Sequence, residues 1–187
     1  PVVHYMMGGI HTDIHGATPI QGLYAAGEVA CVSINGANRL GSNSLPECLV
    51  FGARAAEAAA EYAAGAKPPP PVVMRQADDE VRRIDQMRSP DRGTEQVADL
   101  REEMQSTMED SAGIFRSGDS LTKGVDQLAE MQQRLERVRL YDKTQVFNTE
   151  LVAALELANM LDIAECILHS ALQREESRGA HQRTDFT

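Results

Sequence analysis

Two stretches near the start of this 187-residue chain concentrate the residues able to do chemistry. Gly22-Leu23-Tyr24-Ala25-Ala26-Gly27-Glu28 reads as a strand of small residues ending in an acid. Small side chains let a partner approach the backbone, and a carboxylate at the strand tip can accept hydrogen bonds from sugar or polyol hydroxyls. The same pattern also fits an edge strand followed by a surface Glu. Further on, Arg39 sits in the polar loop Gly36-Ala37-Asn38-Arg39-Leu40-Gly41-Ser42-Asn43-Ser44-Leu45. Its planar fork suits a carboxylate, although a loop Arg paired with a nearby Glu has the same spacing. His4 precedes Tyr5-Met6-Met7-Gly8-Gly9, and the glycine pair predicts a close backbone approach. A lone His is more often structural than catalytic. His11, His15, His169 and His181 show no metal-ligand spacing and read as structural or exposed.

These residues need elements to hold them. Ile10 to Ile14 and Ile20 to Ala26 are expected as short strands, with a turn near His15-Gly16-Ala17. A helix is expected from Ser44 through Ala64. Ser44 and Glu47 match an S-x-x-E capping box, Pro46 falls in the tolerant first turn, and Gly65 is the stop. The free N–H groups and positive dipole end of that helix would favour an anion, a reduced flavin included. The chain has no GxGxxG, so this segment could complete a flavin site but could not begin one.

Pro68-Pro69-Pro70-Pro71 predicts a stiff extended spacer and a domain boundary. Beyond it the pattern is helical. A short helix is expected over 74–87, and Val97, Leu100, Met104 and Met108 recur at helical spacing. Leu121, Val125, Leu128, Met131, Leu135 and Val138 form a heptad-like stripe. Leu151, Leu155, Ala158, Leu161, Ala164, Leu168 and Leu172 mark a long helix capped by Asn148 or Thr149 and followed by Gly179. The expected fold is α+β: residues 1–67 as the C-terminal segment of a larger domain, a linker over 68–73, and an antiparallel bundle of three to four helices over 74–187.

Aromatic residues make up only 4% of the chain, so the core must be aliphatic. The net charge of −10 argues against nucleic acid and against direct docking on anionic lipid. Cys31, Cys48 and Cys166 are odd in number and lack CxxC spacing, which fits a reducing compartment and small buried thiols better than disulfides or zinc. No apolar run reaches the roughly 20 residues of a membrane span. The opening Pro1-Val2-Val3-His4 and the close at Asp185-Phe186-Thr187 both read as cuts through a longer chain.

Taken together, these stretches resemble the flavoprotein subunit of succinate dehydrogenase and quinol:fumarate reductase over nearly the whole chain. The resemblance rests on His4-Tyr5-Met6-Met7-Gly8-Gly9-Ile10, on Gly22 to Glu28 and on Asn35 to Leu45. In the helical part it rests on Leu100 to Met104, Gly113-Ile114-Phe115-Arg116, Val146 to Leu151 and Glu176 to Arg183. Each motif is weak by itself; their order and spacing are specific. The first segment then corresponds to the end of an FAD-binding domain.

The resemblance implies that His4 and Arg39 bind the dicarboxylate, that Glu28 holds FAD, and that the backbone of Ser44 and Leu45 meets the isoalloxazine ring. Pro46 stands where relatives often carry Leu or Ala, which removes only an orphan N–H. The resemblance also implies interconversion of succinate and fumarate by hydride transfer at flavin N5. Electrons would pass to or from quinone through an iron–sulfur subunit, with membrane-anchor subunits holding the assembly on the cytoplasmic face of the inner membrane. The proton-shuttling arginine and the rest of the FAD site lie upstream of Pro1 in the family, so this segment alone is expected to be inactive and without bound flavin. Two other readings are L-aspartate oxidase, which shares the pattern Ser44-Leu45-Pro46-Glu47-Cys48-Leu49-Val50, and a helical interaction module with a disordered first segment.

Overall fold

The computed structural model describes residues 4–68, 70–89 and 93–186; the expectations that touch residues 1–3, Pro69 and Thr187 lie outside them. The chain forms two compact units. One comprises Pro1–Pro69 with Arg178–Ala180, the other Pro70–Ser177 with His181–Thr187.

In the first unit, β1 (Ile10–His11) pairs in parallel with β2 (Ala30–Cys31), Ile10 opposite Ala30 and His11 opposite Cys31. Between them the chain does not form the expected strand over 20–26. Only an isolated antiparallel bridge joins Ala17 to Tyr24. The reason is local: the Leu23 N–H donates back to the Ile20 carbonyl at 3.0 Å with Gly22 at φ +82°, so residues 20–23 turn. The turn expected near 15–17 does form, with the Asp13 carboxylate accepting the His15 and Ala17 N–H groups at 2.8 and 3.0 Å. Gly16 takes φ +74° there, and a Cβ would lie 2.5 Å from that of Ala55, so the turn packs where only glycine fits.

Helix α1 (Ser44–Ala64) is built largely from Ala, the strongest helix former, and closes at Gly65, whose N–H bonds to the carbonyls of Tyr62 and Ala63. A helix starting at Ser44 and an ordered strand pair are what the interaction-module reading excludes. The expected capping box is absent. Asn43 occupies the N-cap position without a side-chain cap bond, and Ser44 is already helical. Glu47 cannot reach back to the helix start because its carboxylate is engaged elsewhere.

The second unit contains α2 (Pro71–Met87), α3 (Val97–Ala112), β3 (Phe115–Arg116), α4 (Gly118–Leu135), α5 (Thr149–Gln173) and β4 (Gln182–Arg183). Helix α2 starts three residues before the expected Met74, because Pro71 takes the first helical position, where its missing N–H has no partner to lose. Only Pro70 of that pair stays extended, at ψ 157°. Helices α3, α4 and α5 pack on one another around Leu100, Leu121, Leu128, Met131, Leu157, Leu161 and Leu168. Each such side chain contributes roughly 1.5–3 kcal/mol by leaving water.

Helix α4 begins with a reciprocal box between Ser117 and Ser120, and α5 with Asn148, whose Oδ1 accepts the Leu151 N–H at 2.7 Å. The buried face of α5 runs through Ala154 and Leu157; Leu155 and Ala158, expected there, are only half-buried. Val138 is buried but lies beyond the end of α4, bridged to Glu95. No described helix is long and apolar enough to cross a membrane.

Candidate functional site

The sequence-predicted residues of the first unit gather around the start of α1. Gly8 and Gly9 adopt φ +108° and +115°. A Cβ on Gly9 would stand 2.4 Å from the Val29 carbonyl oxygen, so the chain behind His4 runs directly against the backbone after Glu28. Glu28 sits in a 3-10 turn, Gly27–Val29, rather than at a strand tip. Its carboxylate accepts the Met6 N–H at 3.0 Å and is otherwise exposed. Gly27 is held close to α1: a Cβ would meet the Cys48 sulfur at 2.9 Å.

Arg39 is half-buried. Its guanidinium carbon lies 4.7 Å from the centre of the Tyr5 ring, a cation–π contact, and its Nη1 donates to the Leu40 carbonyl at 3.3 Å. It has no Glu partner among the described residues, so the loop-salt-bridge alternative does not hold. Arg39 therefore stacks on the neighbour of His4 in the chain, and His4 itself is exposed. Ser44 is half-buried and Leu45 is 69% exposed at the head of α1.

Beneath these groups lies a residue that spacing assigned to helix capping. Glu47 is 2% exposed. Its Oε2 accepts the Tyr5 hydroxyl at 2.7 Å and the Asn35 amide Nδ2 at 2.8 Å. Burial foremost, and then the Glu47 carboxylate, pushes the Tyr5 hydroxyl up to about 12, so it remains a proton donor at physiological pH. Tyr5, Asn35 and Glu47 were not singled out as site residues. Tyr5 and Asn35 stand inside the motifs, and an acid in the first turn just ahead of the uncharged run 48–53 is the available signal; nothing in the spacing joins the three.

These residues fit a polyol-bearing, anionic cofactor and a small dianion. Arg39 Nε and Asn35 Oδ1 are buried without a hydrogen-bond partner among the described residues, a donor and an acceptor held away from water. Glu28 keeps acceptor capacity toward hydroxyls. The turn Arg178–Ala180 belongs to the same unit. The Ala180 N–H donates to the Ala37 carbonyl at 2.9 Å, and Gly179, at φ +60°, lies where a Cβ would be 2.6 Å from that oxygen. The loop carrying Arg39 is thereby pinned from behind.

Comparison with known proteins is consistent across both units. The family described as fumarate reductase flavoprotein C-term matches residues 101–187, and the FAD binding domain matches residues 1–45. The fumarate reductase flavoprotein subunit of Mycobacterium tuberculosis is 58% identical over 100% of this chain and 33% of its own length. The succinate dehydrogenase flavoprotein subunit of Rickettsia bellii is 43% identical over 100% of this chain and 33% of its own. A solved structure of an E. coli quinol fumarate reductase variant superposes with TM-score 0.92 at 47% identity, covering 97% of this chain and 31% of that one. The chain thus spans about a third of the length of the curated relatives it matches. Its motifs, its helical bundle and these likenesses agree: the chain belongs to the fumarate reductase and succinate dehydrogenase flavoprotein family.

Proposed function

We propose that this chain contributes the substrate clamp and part of the FAD site of a subunit that interconverts succinate and fumarate. Residues 1–67 complete an FAD-binding domain, a proline spacer ending at Pro70 links it, and the helices from Pro71 onward form the region that follows. Arg39 pairs with one carboxylate of the dicarboxylate in a charge-assisted, bidentate contact, while His4 hydrogen-bonds the substrate from another side. Glu28 accepts hydrogen bonds from FAD hydroxyls, and the backbone at Ser44 and Leu45 meets the ring. When bound, FAD would supply hydride chemistry at N5 toward the substrate carbon. The chain's own part is to hold the two carboxylates so that the reacting carbon is correctly aimed.

Proton transfer is assigned to residues outside these 187, so the segment by itself is proposed to be inactive and to bind flavin weakly or not at all. An iron–sulfur subunit, membrane-anchor subunits and, through them, a quinone complete the electron path, which places the assembly peripherally on the cytoplasmic face of the inner membrane.

One observation carries the reading: a half-buried cation, Arg39, stacked 4.7 Å from Tyr5 beside His4, with its Nε desolvated and unpaired among the described residues. The test is Arg39→Ala in a full-length subunit carrying this sequence, assayed with fumarate and with succinate. Loss of most turnover in both directions is expected. Near-normal rates would remove the clamp and the reading with it.

A further inference from the structure

We propose that Glu47 is a positioning residue for the substrate site, tying Tyr5 and Asn35 to helix α1 and thereby fixing the direction in which Arg39 presents its guanidinium. The proposal rests on the reading of Arg39 as the carboxylate clamp. A carboxylate 2% exposed in the first turn of a helix is unusual, because acids are rarely buried without strong partners. Here the partners are two neutral donors, and both bonds, 2.7 Å from Tyr5 and 2.8 Å from Asn35, converge on one oxygen. The helix end adds a favourable dipole.

Each donor leads to Arg39 by its own route. The Tyr5 ring forms the surface on which the guanidinium rests, and fixing its hydroxyl fixes the tilt and height of that surface. Asn35 lies at the root of the loop that carries Arg39, next to Gly36 at φ +57°, whose added Cβ would meet nothing within 4 Å. The loop is open at that point, and the Asn35–Glu47 bond ties its root to the helix. Among the described residues no hydrogen bond or ion pair joins Glu47 to Arg39, so its action is through Tyr5 and Asn35. The Tyr5 hydroxyl, raised to about 12, keeps its proton and hence its bond across the working pH range.

Because both bonds meet one oxygen, a glutamine can keep them while lacking the charge; a leucine of similar volume keeps neither. The experiment uses full-length, FAD-loaded subunits carrying this sequence and measures malonate affinity by calorimetry, flavin content by absorbance, and fumarate kinetics. Glu47→Leu is expected to weaken malonate binding at least tenfold at unchanged flavin content. Its kcat/KM should fall on the order of 100-fold, the scale of a misplacement of about 1 Å. Glu47→Gln should return malonate affinity to within about fivefold of wild type.

In the Arg39→Ala background, Glu47→Leu should add nothing further to the malonate loss, since a residue acting through Arg39 cannot act without it. Additive losses would show a general structural role and overturn the proposal. So would malonate affinity in Glu47→Leu within threefold of wild type while Arg39→Ala is weakened. Unchanged affinity in Arg39→Ala would instead sink the clamp reading itself. If Glu47→Leu does not yield folded subunit, Tyr5→Leu and Asn35→Leu each remove one of the held groups, and wild-type malonate affinity in both overturns the proposal.

Discussion

Arg183 offers the sharpest test of how the helical unit is held together. Its side chain is 2% exposed and makes five hydrogen bonds. Nε and Nη2 grip both oxygens of Asp185 at 2.8 Å, and Nη1 donates to the carbonyls of Ala171, Leu172 and Arg174 at 3.0, 3.1 and 3.3 Å. Those carbonyls end α5, where a helix leaves acceptors without intrahelical donors. Arg183→Met keeps the stem and deletes the fork. Five bonds to a charged group would sum to about 7.5 kcal/mol at about 1.5 kcal/mol each, but the sum overcounts. Three bonds share the hydrogens of one nitrogen, and Asp185, at 36% side-chain exposure, can return to water. Breaking a buried pair costs about 3–5 kcal/mol, so the lower end, about 3 kcal/mol, is the working value. With a urea slope near 2 kcal/mol/M, the midpoint of the helical transition should fall by about 1.5 M. Arg183→Lys should recover little, because an ammonium cannot span three carbonyls and a bidentate carboxylate. A loss under about 1 kcal/mol for Met, or a Lys variant as stable as wild type, would refute the account.

Other expectations follow from the same contacts. Leu161→Ala, at a fully buried position in α5, should destabilise the bundle by about 2–5 kcal/mol in urea unfolding, by lost transfer and the cavity left behind. Gly179→Ala should cost about 2 kcal/mol, from the left-handed backbone and the clash with Ala37, whereas Gly41→Ala, with nothing within 4 Å, should be near neutral; paired melts decide. The Arg183 guanidinium holds the Asp185 carboxyl well below the usual carboxylate range. A folded pKa below the unfolded one gives stability that is complete above about pH 4 and lost as pH falls through the folded value. Urea midpoints measured from about pH 5 to 2.5 should show the onset of that loss, and Asp185→Asn should remove this contribution.

Much of the architecture is legible from residue spacing. Helix α1 starts and stops where Ser44 and Gly65 predict, α3 to α5 follow their apolar stripes, and Asn148 caps α5, because helix periodicity, caps and terminators act within a few residues. Family motifs point to FAD and nominate His4, Glu28, Arg39, Ser44 and Leu45 as candidate ligands. Non-local choices escaped that reading. The segment over 20–26 turns between Ile20 and Leu23 instead of forming a strand, and Pro71 enters α2 instead of the spacer.

The largest difference concerns Glu47. Its sequence context names a helix cap, a contact three residues away. Its actual donors come from Tyr5 and Asn35, 42 and 12 residues distant, and Arg183 likewise finds its carbonyls across a turn of chain. Spacing set the helices and most of their bounds. Only the packed chain decided which carboxylate each donor would meet, because a buried charge takes the partner that burial brings within 3 Å, and that depends on segments far apart in sequence.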